Sequence, residues 1–134
     1  MERVYTTPRL DKLGIRPGMR VALVDLDDAS FGAELRERTH DITEGDPLPG
    51  TAVILFAADS EGALARLPAL RERLVPNGAI WVVSHKGRRA TIRDTDVMAA
   101  GRAAGLVDNK VVSFDETRTS LRLVIPVALR PPAR

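Results

Sequence analysis

Three apolar runs in this sequence each end beside residues able to do proton or charge chemistry. The run Arg20–Leu26 (RVALVDL) holds Asp25 near its end and is followed by Asp27. The run Thr51–Ala58 (TAVILFAA) gives way to Asp59, and Ala79–Ser84 (AIWVVS) runs from Ser84 into His85 and Lys86. A histidine and a lysine near carboxylates can exchange protons or hold an anion. The same residues also have structural uses. Asp28 and Asp59 suit helix caps, and His85-Lys86 can simply open a solvated loop.

The other chemistry-bearing residues exclude more than they suggest. His40 and His85 are the only histidines, and His40-Asp41 has no second donor pair at metal-ligand spacing, so no metal is expected. A Ser–His–Asp triad is defined by geometry and cannot be read from order alone. Neither common phosphate-binding glycine motif is present. The basic loop 85–93 carries Lys86, Arg88, Arg89 and Arg93, which could contact phosphates. Aromatic residues are only 4% of the chain and none lies in that loop, so base stacking has little to work with. Phe31, Phe56, Trp81 and Phe114 sit in apolar patterns and are expected in the core.

The elements that position these residues alternate between strand and helix. Thr7-Pro8 suits a helix start, Gly14 its end, and Arg16-Pro17-Gly18 a turn. Strand 20–26 has the continuous apolar character of a parallel strand covered on both faces. Asp27, Asp28 and Ser30 offer caps for a helix through about Arg38, and 39–43 reads as a short, weak strand. The prolines and glycine of 46–50 make a loop. After strand 51–58, Asp59 or Ser60 caps a helix with Leu64, Leu67, Leu70 and Leu74 at helical spacing, interrupted at Pro68 by a kink or restart. Pro76-Asn77-Gly78 is read as a turn into strand 79–84. Asp94 is expected to cap an alanine-rich helix that stops at Gly105. Strands 106–114 and 120–127 follow, and the five residues between them cannot hold a crossover helix, so the two should be antiparallel.

The whole is predicted to be a single α/β domain spanning 1–134: a mostly parallel Rossmann-type sheet, helices on both faces, and a C-terminal antiparallel hairpin. In such sheets ligands bind beyond the carboxyl ends of the strands. That rule selects Asp25, Asp27, Asp59, Ser84, His85 and Lys86 as the candidate site. The 134 residues, 44% hydrophobic and 28% charged, are globular in composition. The absence of cysteine excludes disulfides and thiolate metal sites. With no signal-like start and no run long enough to span a bilayer, the expected location is cytoplasmic, away from membranes. The net charge of +2 hides an acidic first half and a basic second half, a polarity able to steer a charged partner.

Leu74–Val83 (LVPNGAIWVV) resembles the helix–Pro–Gly–strand segment of class I S-adenosylmethionine-dependent methyltransferases. Ala103–Asp108 (AAGLVD) is similar to their later helix-to-strand passage. Lys12–Gly18, the Pro-Asn-Gly strand, and Ala104–Val111 followed by Asp115-Glu116-Thr117 resemble a small bacterial family. That family is known only as a domain of unknown function with a methyltransferase-like fold. The resemblance implies a fold and supplies no reaction.

The first half departs from true methyltransferases. Their glycine-rich loop after the first strand is replaced here by Val24–Gly32 (VDLDDASFG), where side chains crowd the turn. A further strand and helix, with an acidic residue for the cofactor's ribose, are also missing before Thr51, and Asp41 is a poor substitute. The expectation is a degenerate binding or interaction domain without S-adenosylmethionine-dependent activity and without a cofactor. An enzyme with a noncanonical site at the strand ends is one alternative. An anion or nucleic-acid binder through 86–93 is another. A small anion, a protein, or a second copy of the chain is the expected partner.

Overall fold

Alternation along the apolar runs builds the sheet. In β1 (Val21–Val24), Val21 and Leu23 turn to one face while Ala22 and Val24 turn to the other, as a period of two requires; all are buried. The computed structural model describes residues 8–131. Thr7 lies outside them; Pro8 is the N-cap of α1 (Arg9–Lys12) rather than its first residue.

The six-stranded sheet has the order β2-β1-β3-β4-β6-β5. Its members are β1, β2 (Ile42–Glu44), β3 (Thr51–Ala57), β4 (Leu74–His85), β5 (Val107–Ser113) and β6 (Arg118–Val124). β2, β1, β3 and β4 are mutually parallel, while β6 runs antiparallel to both β4 and β5. One face is covered by α1 and α2 (Ala29–Arg36), through Leu10, Leu13, Phe31 and Leu35 on Val21, Leu23, Leu55 and Trp81. The other is covered by α3 (Glu61–Leu64), α4 (Leu67–Arg71) and α5 (Asp94–Ala103), through Leu64, Leu67, Leu70 and Val97 on Ile54, Phe56, Val82 and Leu123. Trp81 is buried, and its indole N–H donates to the Leu13 carbonyl at 2.9 Å, tying α1 to the centre of the sheet.

Four sequence expectations are corrected. The weak strand expected at 39–43 is shifted to Ile42–Glu44, with Thr39 buried and its hydroxyl donating to the Met19 carbonyl at 2.6 Å. Pro76-Asn77-Gly78 is not a turn before a strand. β4 already begins at Leu74, and the step from Thr51 to Val53 on β3 is matched by the step from Leu74 to Ala79 on β4. A local turn signal was absorbed into a bulge because the flanking residues pair at long range. Leu74 therefore belongs to the strand, while the helix restarts at Leu67 with Pro68 in its first turn. Asp94 is the first residue of α5 rather than its cap; the N-cap is Arg93, whose N–H donates to Asp96 at 2.8 Å. β6 ends at Val124, and Val127–Leu129 form a 3-10 turn.

β5 is an edge strand, and its pairing with β6 skips Asn109 between Asp108 and Lys110. The opposite edge, β2, has only three residues.

Two glycines separate packing from conformation. A Cβ on Gly78 would lie 2.8 Å from the Ala52 carbonyl oxygen and 3.1 Å from that of Val75, backbone atoms that cannot swing away. A Cβ on Gly32, inside α2, would meet only the end of the Arg36 side chain at 3.4 Å. Gly78→Ala should cost about 1–3 kcal/mol, whereas Gly32→Ala should raise stability by about 0.5–1 kcal/mol. Urea midpoints of the two variants against the parent check both signs.

Candidate functional site

The carboxyl ends of β1 and β2 border a cavity of about 580 Å³, closed on the third side by the first turn of α2. Asp25, Asp27, Asp28, Glu44 and Arg36 supply its charged groups, and Leu23, Leu26 and Gly45 are part of its wall. Asp25 follows β1 with a backbone φ of 57°, a left-handed conformation that costs a residue with a Cβ about 1–2 kcal/mol. Its carboxylate accepts from Arg66 at 2.8 Å, and the same guanidinium reaches Asp46 in the β2–β3 loop at 3.2 Å. Arg66 thereby straps the end of β1 to that loop. Asp27 is exposed at the rim.

Asp28 closes the turn as the N-cap of α2, accepting the Phe31 N–H at 2.9 Å. Its other oxygen pairs with Arg118, whose guanidinium also reaches Asp115 at 2.6 and 2.9 Å. Arg118 stacks over Phe114 as well, 4.8 Å from the ring centre. Desolvation alone would raise the Asp28 carboxyl; the Phe31 N–H and the Arg118 guanidinium outweigh it and hold Asp28 below its ordinary value. Asp115 is lowered in the same way, against desolvation, by Arg118 and the Thr117 N–H. Desolvation would lower Arg118, but its two carboxylate partners raise it.

The remaining candidates form a second group that does not line this cavity. Ser60, not Asp59, caps α3, accepting the Ala63 N–H at 3.0 Å. Asp59 instead grips the end of β4: it accepts the His85 backbone N–H at 2.8 Å and lies 2.9 Å from His85 Nδ1. Lys86 turns away to Ser113, 2.8 Å from its hydroxyl. Ser84 is buried within β4, opposite Thr119 of β6. Arg88, Arg89 and Arg93 are exposed. Among the described residues no group of three or more His, Cys, Asp or Glu side chains could hold a metal ion. No helix there is long and apolar enough to cross a membrane.

Sequence reasoning missed Glu44, Arg36, Arg66 and Arg118. Glu44 had a usable signal. It stands nineteen positions after Asp25, close to the spacing at which a Rossmann fold places its ribose-binding carboxylate. Placing the strand at 39–43 concealed it and brought Asp41 forward instead; Asp41 pairs with Arg20 at 3.0 Å and does not line the cavity.

No family model matches the chain, and no curated protein matches it. Solved structures do. A protein of Sulfolobus solfataricus assigned to the type 11 methyltransferases superposes with a TM-score of 0.62 at 12% identity, over 93% of this chain and 90% of that one. A SAM-dependent methyltransferase from Aquifex aeolicus gives 0.55 at 14% identity, over 87% of each chain. The pyocyanin biosynthetic protein PhzM gives 0.57 at 14% identity over 86% of this chain. The fold is methyltransferase-like. The chain spans about half the length of PhzM, at 52% of it. The strand order keeps the 2-1-4-5 part of the Rossmann order 3-2-1-4-5-6 as β2-β1-β3-β4, has no counterpart of strand 3, and closes with the antiparallel pair β6-β5 in place of strand 6.

Sheet and cap are joined at Arg118, so the ion pairs there should be felt in stability. Arg118→Ala should cost about 1.5–3 kcal/mol, the range for hydrogen bonds to charged groups. Because Asp28 and Asp115 are depressed in the folded chain, their contribution is complete above about pH 4 and is lost as pH falls through their folded values. Urea unfolding from pH 6 to pH 2 should show that loss in the parent, and Asp28→Asn should flatten the acid limb.

Proposed function

We propose that the chain is a methyltransferase-like binding domain that does not hold S-adenosylmethionine in the glycine-loop pose. The turn after β1 carries this reading. A cofactor in that pose needs backbone approach at the first strand–helix turn, which glycine permits for steric reasons. Here Asp25, Leu26, Asp27 and Asp28 occupy the turn, and the first glycine, Gly32, is buried inside α2. Asp28 already satisfies the Phe31 N–H of the first helical turn, so that donor is spent within the chain. The residues of the turn do not fit the group, although Glu44 stands where a ribose carboxylate would.

The cavity beside the turn remains the place to bind something. Four carboxylates, that of Asp28 already paired with Arg118, and one guanidinium around about 580 Å³ favour a ligand presenting hydroxyls or a cationic group over an anion.

The Asp59–His85 pair favours a second reading, an enzyme working at the ends of β3 and β4. A carboxylate on Nδ1 orients the ring and leaves Nε2 as the atom that exchanges a proton. What this geometry supports is proton transfer, without a substrate class.

Two measurements separate these readings. A ligand bound only by the folded state at about 100 times its dissociation constant adds roughly 2.7 kcal/mol. For a domain of this size that is a melting shift on the order of 10 °C. Millimolar S-adenosylmethionine or S-adenosylhomocysteine should produce no resolvable shift, and a saturable rise would overturn the binding-domain reading as stated. For the second reading, diethyl pyrocarbonate at pH 8 should modify His85 faster than His40. Asp59→Asn should remove that difference in a peptide-resolved mass spectrum.

A further inference from the structure

At the opposite end of the sheet, two turn motifs that the strand-end site leaves unused come together. Arg16-Pro17-Gly18, between α1 and β1, faces the bulge of β4 across a cavity of about 310 Å³. Its wall includes Arg16, Met19, Val75, Asn77, Gly78 and Arg122, with no carboxylate among the lining residues. The bulge makes the space: residues 75–78 have no counterpart on β3, so the β4 backbone leaves the sheet there. Gly78 sits so close to the Ala52 and Val75 carbonyls that a Cβ would be excluded.

Among the described residues, the positive charge around this cavity has no carboxylate partner. Arg122 of β6 lies directly opposite Lys110 of β5, a like-charged cross-strand pair of the kind that destabilises a sheet. Burial, and then the nearby charge of Arg130, push the Arg122 guanidinium below the ordinary arginine value. Arg122 donates only to Asn109 Oδ1, at 3.4 Å, while Lys110 reaches the Lys12 carbonyl at 3.4 Å and Arg130 the Ile125 carbonyl at 2.9 Å. Among the described residues, none of Arg16, Lys110, Arg122 and Arg130 forms an ion pair with a carboxylate. Unpaired arginines also occur elsewhere, in the exposed 85–93 loop for example, but Arg16 and Arg122 are the two that line this cavity.

We propose that this amino-end cavity binds the oxyanion of a small molecule, a phosphate monoester or a carboxylate, through Arg122 and Arg16. A planar guanidinium grips such a group with two parallel N–H donors. Met19 and Val75 give the rest of the ligand an apolar wall, and 310 Å³ is at the small end of ligand cavities. The proposal is independent of the strand-end reading, since the two sites share no residue and lie at opposite ends of the parallel strands. The strand-end group is a poorer anion site because the Asp59 carboxylate stands against His85.

The test is phosphate binding to the full chain at constant ionic strength, chloride being replaced stepwise so that general screening is unchanged. Phosphate should raise the melting temperature saturably in the millimolar range. Amide chemical shifts should move at Gly14, Arg16, Gly18, Asn77, Gly78 and Arg122. Arg122→Gln should weaken the affinity about tenfold or more, and Arg16→Ala should weaken it in the same direction. Arg88→Ala, in the exposed loop, should leave it unchanged. Because Arg122→Gln also removes the repulsion with Lys110 and Arg130, its melting temperature without phosphate should not fall, which keeps the comparison readable. Absence of saturable stabilisation in the parent, shifts centred on residues 85–93, or equal loss from Arg88→Ala and Arg122→Gln would each overturn the proposal.

Discussion

A single guanidinium joins the beginning and the end of this fold. Arg118, at the start of β6, sits between Asp28 of the α2 cap and Asp115 of the hairpin turn, with its flat face over Phe114. Arg9 of α1 covers the other part of the same aromatic pair, 4.9 Å from the Phe31 ring centre and 4.7 Å from that of Phe114, and its charge is taken by Glu34 at 2.6 Å. Side-chain exposures of 19% for Arg118 and 16% for Asp28 place the pair where water screens it little. The cap of α2 is thus fixed from two directions: by its own first turn and by a residue ninety positions away. That double constraint determines the shape of the strand-end turn, and with it what the neighbouring cavity can admit.

The two ends of the parallel strands therefore differ in electrostatic character. At the carboxyl ends, several charges are matched in pairs and chains: Arg66 between Asp25 and Asp46, Asp59 with His85, and Arg118 between two aspartates, beside the carboxylates of Asp27 and Glu44 at the cavity. At the amino ends, among the described residues, Arg16 and Arg122 line the cavity at the β4 bulge without a carboxylate partner, and Lys110 stands opposite Arg122.

How much of this was legible depended on the range of the interaction. Val21–Val24, Thr51–Ala57 and Ala79–Val83 could be read directly, because strands buried on both faces are continuous apolar runs. The restart at Leu67 followed from the steric effect of Pro68. β2 was misplaced because a three-residue strand carries no periodicity, and its carboxylate, Glu44, was lost with it. The start of β4 was hidden because Pro-Asn-Gly is a strong local signal, whereas its inclusion in the strand depends on Thr51 pairing with Leu74. Asp59 shows the limit most plainly. Its residue type and position suit a helix cap as well as a histidine partner, and only the packing of β3 beside β4 decides between them. Arg118 has no local pattern at all.

The borders of the sheet have one more consequence. β2 is too short to template a neighbour, and β5 skips a ladder position at Asn109 beside the charged pair Asp108 and Lys110. Short edges, bulges and lysines are the devices by which sheets resist zipping to other sheets. Neither edge therefore presents a long, regular ladder to a further strand.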